Sequence, residues 1–189
     1  LIKNRAYGLL ICDMKRILFL AVLACMTLAT QAKGWTKEQV ADVIAQVNNY
    51  WQQNNKAETR SFWDPAAYHT GNMEAYKLLG NEAWLDYSKR CLLYTSLMAR
   101  EKDPSKWKYK HYGEGQDFVL FGDWQICFQT YIDMYWIENA KGGSARNERM
   151  VQRAKEVMGY QVRTKANDYW WWSDALYMVM PVMTKMYKL

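Results

Sequence analysis

GDWQICFQTYIDMYWIEN, residues 122–139, places an acid at its second position and a run of apolar and aromatic residues behind it. Two other stretches share that build: WDPAAYHTGNMEAYKLLG from Trp63 and SDALYMVMPVMTKMYKL from Ser173. Each begins with an acid, Asp64, Asp123 or Asp174, at intervals of 59 and 51 residues. Each carries a tyrosine 12 or 13 residues later, at Tyr76, Tyr135 and Tyr187. A second, more polar helical pattern fills each gap. A period of about 50 residues made of two helices is the mark of a helical-hairpin array or a closed α/α toroid. The fold class expected is therefore all-α.

That placement bears on function. If the three repeated helices form an inner ring, they run parallel and their N-termini open at one mouth. Asp64, Asp123 and Asp174 then line it. Acids also start helices simply because they bond orphan N–H groups and suit the dipole. Asp64, followed by Pro65 at a first-turn position, fits that plainer role better.

The remaining chain reads as helix and connection. Thr36, with Gln39 three residues on, opens a helix in capping-box style. Val40, Val43, Ile44, Val47 and Trp51 then mark one face at helical spacing. A polar connection at 53–60 precedes helices expected over 65–79, closed by Gly80, and 82–99. The segment 103–121 reads as loop. Helices over 123–138 and 146–163 follow, and a last one starts at Ser173.

The chain has 189 residues, of which 10 are Trp, 14 Tyr, 5 Phe and only 3 Pro. Rings in such number fill cores and also stack on sugar faces. Met14-Lys15-Arg16, an apolar run from Ile17 to Leu28 and the small residues before Ala32 form the pattern of a secretory signal peptide. Residues 1–13 read as an upstream segment, 14–32 as the leader and 33–189 as the exported part. The apolar run is too short to span a bilayer. Cys25 sits in a poor lipobox, which makes a lipoprotein the lesser alternative. Removing residues 1–32 takes Lys3, Arg5, Lys15, Arg16 and Asp13, leaving 21 basic and 18 acidic residues, net +3. That mild excess, without a basic run, gives no footprint for nucleic acid. The exported part keeps Cys91 and Cys127, which either pair or lie buried as thiols. With His69 and His111 as the only histidines and no Cys/His spacing, no metal site is expected.

Chemistry is expected where DYWWWSDALYM, residues 168–178, sets Trp170, Trp171 and Trp172 beside Asp174. Three adjacent rings cannot all face one core, so one of them is free to wall a pocket. A general acid needs a raised pKa; desolvation by rings and a nearby like charge supply it, against the pull of a helix N-terminus. Asp174 is accordingly the expected proton carrier and Asp123 the second carboxylate, the two splitting their titration. His69, within AYHTG, is a candidate substrate contact or a structural histidine. His111 and Glu114 stand in a glycine-containing loop, where binding groups gather. Gln125 and Gln129 share a helix face, as holders of sugar hydroxyls or as interhelical hydrogen-bonders.

Two of these stretches, GDWQICFQTYIDMY and WWWSDALYMVMPVMTKMYKL, resemble the unsaturated uronyl hydrolases of glycoside hydrolase families 88 and 105, as does AAYHTGNMEAYKLLGNEAWLDYSKRC. The resemblance covers most of residues 35–189. It implies an (α/α)6 barrel, of which this chain would supply about the first half, roughly three hairpins. It implies hydration of the C4=C5 bond in a terminal Δ4,5-unsaturated uronic acid of an oligosaccharide, on pectin-derived (rhamnogalacturonan-type) chains, without cofactor. Carried over by motif, Asp174 is the general acid/base, Asp123 the second carboxylate, and Trp170 to Trp172 part of the sugar-stacking wall. One departure is visible: the acid doublet usual before the glutamine reads Gly122-Asp123-Trp124 here. Other α/α-toroid enzymes, such as a polysaccharide lyase or an exo-glycosidase, and a non-catalytic glycan-binding protein stay open as alternatives. Oligomeric state is not legible.

Overall fold

The structure, a computed structural model, describes residues 34–99, 103–107, 119–142, 147–170 and 172–189. The expected leader and upstream segment, His111, Glu114 and Trp171 lie outside the described residues. The chain divides into two units, Leu1–Val40 and Ala41–Leu189. The described part of the first holds the capped start of a helix: the Thr36 N–H donates to Oε1 of Gln39 (3.0 Å), and the Gln39 N–H donates to Oγ1 of Thr36 (3.2 Å). Two orphan donors are thereby satisfied, as the spacing predicts.

The helices are α1 (Lys37–Asn54), α2 (Trp63–Leu79), α3 (Glu82–Tyr94), α4 (Gly122–Gln125), α5 (Cys127–Ala140), α6 (Arg149–Arg163) and α7 (Asp174–Tyr187), with a 3₁₀ turn at Pro104–Lys106. No strand occurs among the described residues, and the chain is all-α as expected. Gly80 closes α2 in the left-handed region (φ 70°), its N–H donating to the Tyr76 carbonyl at 2.7 Å. Glycine pays no Cβ penalty there. The helix expected over 82–99 stops earlier. Ser96 and Leu97 both take positive φ (57° and 61°), and the Leu97 N–H turns back to the Leu92 carbonyl at 3.0 Å.

Side-chain pairs fix how the second unit is layered. Phe62 meets Trp124 at the helix heads (ring centroids 4.7 Å apart), and Lys77 reaches Asp133 near the tails (3.1 Å). The helix α2 and the run α4–α5 therefore lie parallel. The Gly122 region sits against Ala175 and Val179 of α7, and Lys185 reaches Asp133 (2.6 Å), so α7 is parallel to them as well. The others run the opposite way. Lys141, just past α5, pairs with Glu82 at the start of α3, while Tyr131 bonds Thr95 at the end of α3. Tyr135 and Gln125 likewise reach Glu148 and Gln161 at opposite ends of α6. Three parallel repeated helices with antiparallel partners are the partial α/α toroid that the repeat predicts.

The helix α5 is the hub. Nine consecutive residues, Cys127 to Tyr135, are buried, because α2, α3, α6 and α7 all pack on it. Phe128, Ile132 and Met134 are fully enclosed, each contributing about 1.5–3 kcal/mol of transfer free energy. The outer helix α6 is amphipathic instead, burying Met150, Val151, Ala154, Val157 and Met158 at helical spacing. The helix α1 departs from its apolar stripe. Val43 and Val47 are exposed, while Asn48 is buried, its Nδ2 donating to Oδ1 of Asn72 at 2.7 Å. A polar seam and the stacking of Trp51 on Tyr68, not the valines, join α1 to α2. Cys91 and Cys127 are both buried free thiols, which resolves the alternative left open by the sequence.

Candidate active site at the heads of the parallel helices

The site is built by two close approaches. Gly122 starts α4 with no side chain. A Cβ there would stand 3.4 Å from Cζ2 of Trp172, 3.5 Å from Cγ2 of Val179 and 3.7 Å from Cβ of Ala175. Those are ordinary contact distances, so the first turns of α4 and α7 meet with room for no more than a small residue at 122. The Phe121 and Trp172 rings meet at a tilt of 38°, centroids 4.5 Å apart. Asp123 and Asp174, each in the first turn of its helix, are thereby brought close enough to feel one another.

The electrostatic outcome falls on Asp123. Burial, and secondarily the negative charge of Asp174, push its carboxyl up from 3.8 to about 6. A helix N-terminus pulls a carboxylate the other way by about 0.3–1 kcal/mol, so desolvation and the like charge outweigh the dipole here. The desolvated acid is thus Asp123 and not, as expected, Asp174, which is exposed. The reason lies in where the indoles go. Trp172 covers Gly122 and Phe121. Trp170 turns inward, half-buried, with Nε1 donating to Oε1 of Gln125 at 3.1 Å. Neither ring encloses Asp174, and Trp171 lies outside the described residues.

Gln125, a candidate sugar contact, has another task. It is fully buried; its amide donates to the Val119 carbonyl (3.0 Å) and to Oε1 of Gln161 (3.2 Å), while its oxygen accepts from Trp170. No polar atom of the side chain is left for a ligand. Gln129 is equally occupied, its amide reaching the carbonyls of Tyr177 (2.8 Å) and Met178 (3.0 Å). Pro181 explains that bond. Proline has no N–H, so the carbonyl four residues earlier, Tyr177, lacks its helical donor, and Gln129 supplies one. The interhelical role is therefore the one the two glutamines perform.

The structure separates the remaining candidates. His69 is buried between the helices, with Nδ1 3.0 Å from Oγ of Ser88; burial lowers its pKa to about 4. Asp64 pairs with Arg60 at 3.4 Å. Both line a cavity of about 470 Å³ whose wall includes neither Asp123 nor Asp174. His111 lies outside the described residues. Tyr177, which follows Asp174 by one turn in the DYWWWSDALYM stretch, ties the head of α7 to α2. Thr70 Oγ1 donates to the Ala67 carbonyl (2.7 Å), so the Tyr177 hydroxyl is the donor in its 2.8 Å bond to Thr70. Among the described residues no cluster of three or more His, Cys, Asp or Glu could hold a metal ion, and no helix is long and apolar enough to cross a membrane.

Residues 35–189 match the model of Glycosyl Hydrolase Family 88, and the chain belongs to that family. It is similar to a solved polysaccharide lyase, with 51% identity and a TM-score of 0.70 over 80% of this chain and 41% of that one. It is also similar to a glycosyl hydrolase family 88 structure from Bacteroides vulgatus, with 46% identity and a TM-score of 0.72 over 82% of this chain and 42% of that one. The chain thus spans about two fifths of the length of either structure. A comparison with curated proteins returned no match.

Proposed function

We propose that the complete enzyme hydrates the C4=C5 bond of a terminal Δ4,5-unsaturated uronic acid on pectin- or rhamnogalacturonan-type oligosaccharides. The observation that carries this reading is the coupled pair of carboxyls, Asp123 and Asp174, at the touching heads of α4 and α7 in a family 88 chain. Burial and the charge of Asp174 push the Asp123 carboxyl up to about 6, so it can carry a proton beside that charge in mildly acidic solution. Asp174, the exposed member, takes the role of reaching the sugar. A proton goes to C4, water attacks C5 as it gives up its own proton to the carboxylate, and the hemiketal formed at C5 opens with release of the neighbouring sugar. The pair ends as it began. Trp172, packed on Phe121, stands beside Gly122 next to Asp123. The basic and apolar pattern of residues 14–32 supports an exported enzyme that acts on oligosaccharides left by lyases.

A lyase is the second reading, favoured by the name of the 51%-identical structure. One assay divides them. The conjugated acid absorbs in the ultraviolet; a hydrolase abolishes that absorbance in an unsaturated disaccharide, a lyase creates it from a saturated chain, and a binding protein leaves it unchanged. In the complete enzyme, Asp174→Asn is expected to lower turnover by about two to four orders of magnitude, the range for general acid–base groups. Near-normal turnover discards the role given to Asp174.

A further inference from the structure

The cavity of about 470 Å³ beside His69 lies outside the carboxyl pair, between the C-terminal ends of α1 and α3 and the head of α2. Its walls are built, not incidental. Trp51 is held flat against Tyr68, with centroids 4.5 Å apart and planes 11° apart. Tyr87 is fixed by a 3.1 Å bond to the Asn55 carbonyl. His69 is 4% exposed. Ser88 holds its Nδ1, and Asn72 in turn holds Ser88 at 2.7 Å. The other ring nitrogen, Nε2, has no protein partner among the described residues and is the atom this cavity-lining side chain has left to offer. Burial keeps the imidazole neutral near pH 7, so it presents a hydrogen-bonding group without a charge.

Two further features point to the ligand. Tyr94, 62% exposed as a residue, lines the cavity as an aromatic platform at the rim. The charged lining residues balance in number, Lys56 and Arg60 against Glu58 and Asp64, but they are not all paired. Glu58 is paired with Arg90 (3.1 Å) and Asp64 with Arg60 (3.4 Å). Lys56 has no ion-pair partner among the described residues. A recess of this size, with aromatic walls, a few fixed polar groups and one ammonium free of an ion pair among the described residues, suits a small ring that carries hydroxyls and a carboxylate.

We propose that this cavity is a second saccharide site, which takes a uronic-acid residue of the oligosaccharide with its ring on Tyr94, its carboxylate at Lys56 and a hydroxyl at Nε2 of His69. The acidic sugar is named on the strength of the function proposed above; the cavity and its chemistry stand apart from the carboxyl pair. Its use would be to hold a longer chain on the enzyme between turnovers.

The test is calorimetric titration of the complete enzyme with saturated trigalacturonate, which has no C4=C5 bond to hydrate, beside maltotriose as a neutral chain. Trigalacturonate is expected to bind more tightly than maltotriose. Tyr94→Ala and Lys56→Gln, both at exposed positions, are expected to weaken it about five- to tenfold each. Both variants should leave turnover of an unsaturated disaccharide unchanged, because it is spent at the carboxyl pair. Unchanged trigalacturonate affinity in both variants, or equal affinity for the two trisaccharides, overturns the site. Loss of disaccharide turnover in Asp174→Asn with trigalacturonate affinity intact supports both readings. Full turnover in Asp174→Asn breaks the functional reading alone.

Discussion

Asp123 and Asp133 lie on one helical run, joined through Ile126, whose own angles are helical (φ −55°, ψ −34°). Their surroundings are opposite. Asp133 is 1% exposed, and its Oδ2 takes Lys185 at 2.6 Å and Lys77 at 3.1 Å, one cation from each flanking parallel helix. Asp123 has burial and a second acid as the two causes of its raised pKa, and no cation among them. Buried charge is tolerated when paired and costly when it is not. The same fold therefore uses cations at the tails of its repeated helices, where the three must be tied together, and among the described residues gives none to Asp123 or Asp174 at the heads, while Asp64 keeps Arg60. An acid kept near its own pKa is poor for stability and useful for proton transfer.

The sharpest way to break this contrast is to neutralise each acid in turn. Asp123→Asn in the complete enzyme is expected to lower turnover by about two orders of magnitude or more. Asp133→Asn is expected to leave the turnover of the folded fraction within a few-fold of normal. Comparable losses, measured on equal amounts of folded enzyme, would put Asp133 in the chemistry and end the contrast.

Stability should report the reverse. Removing one partner of a buried ion pair costs about 3–5 kcal/mol. Lys77 and Lys185 keep some contact with solvent (37% and 18% exposed), so Asp133→Ala belongs at the lower end, about 3 kcal/mol. Denaturant unfolding of the complete enzyme measures it. A loss under about 1 kcal/mol would mean that the lysines relax into water and that the tails are held by packing alone.

Much of this was legible in the sequence, and the failures have causes. The repeat of acid, apolar run and tyrosine gave the parallel helices because it is a periodic, local signal. The capping box at Thr36 and the stop at Gly80 were legible for the same reason. The Asp123–Asp174 pairing was legible as a constellation, but which acid is desolvated was not. That depends on the rotation of two indoles, Trp170 onto Gln125 and Trp172 onto Gly122, and a run of three tryptophans does not state it. The valines of α1 misled for a related reason, since the helix is seated by Asn48 on Asn72 and by Trp51 on Tyr68. Polar contacts between distant helices have no periodicity to read.

A smaller effect tests the join behind the site. Gln129→Ala strips the donor from the Tyr177 carbonyl, which Pro181 leaves without a helical partner. The expected cost is about 1–2 kcal/mol. Pro181→Ala restores a backbone N–H, so the double variant should recover part of the loss. Strict additivity of the two substitutions in unfolding experiments would show that Gln129 is not compensating for the proline.

The smallest effect is the most direct reading of the pair. The Asp123 carboxyl is raised in the folded protein, so folding takes up a proton between the unfolded value near 3.8 and the folded value of about 6. Its contribution to stability is present in full below that window and is lost as pH rises through it. Asp123→Asn should therefore gain on the wild type from pH 4 to 6, reaching roughly 1 kcal/mol at neutrality once solvent screening is allowed for. Burial is the larger cause and Asp174 the smaller. In Asp174→Asn the Asp123 titration, followed by carboxyl-carbon NMR, should move down yet stay above the ordinary aspartate range. An unmoved titration would uncouple the two acids, and a return to the ordinary value would mean that charge, not desolvation, holds the proton on Asp123.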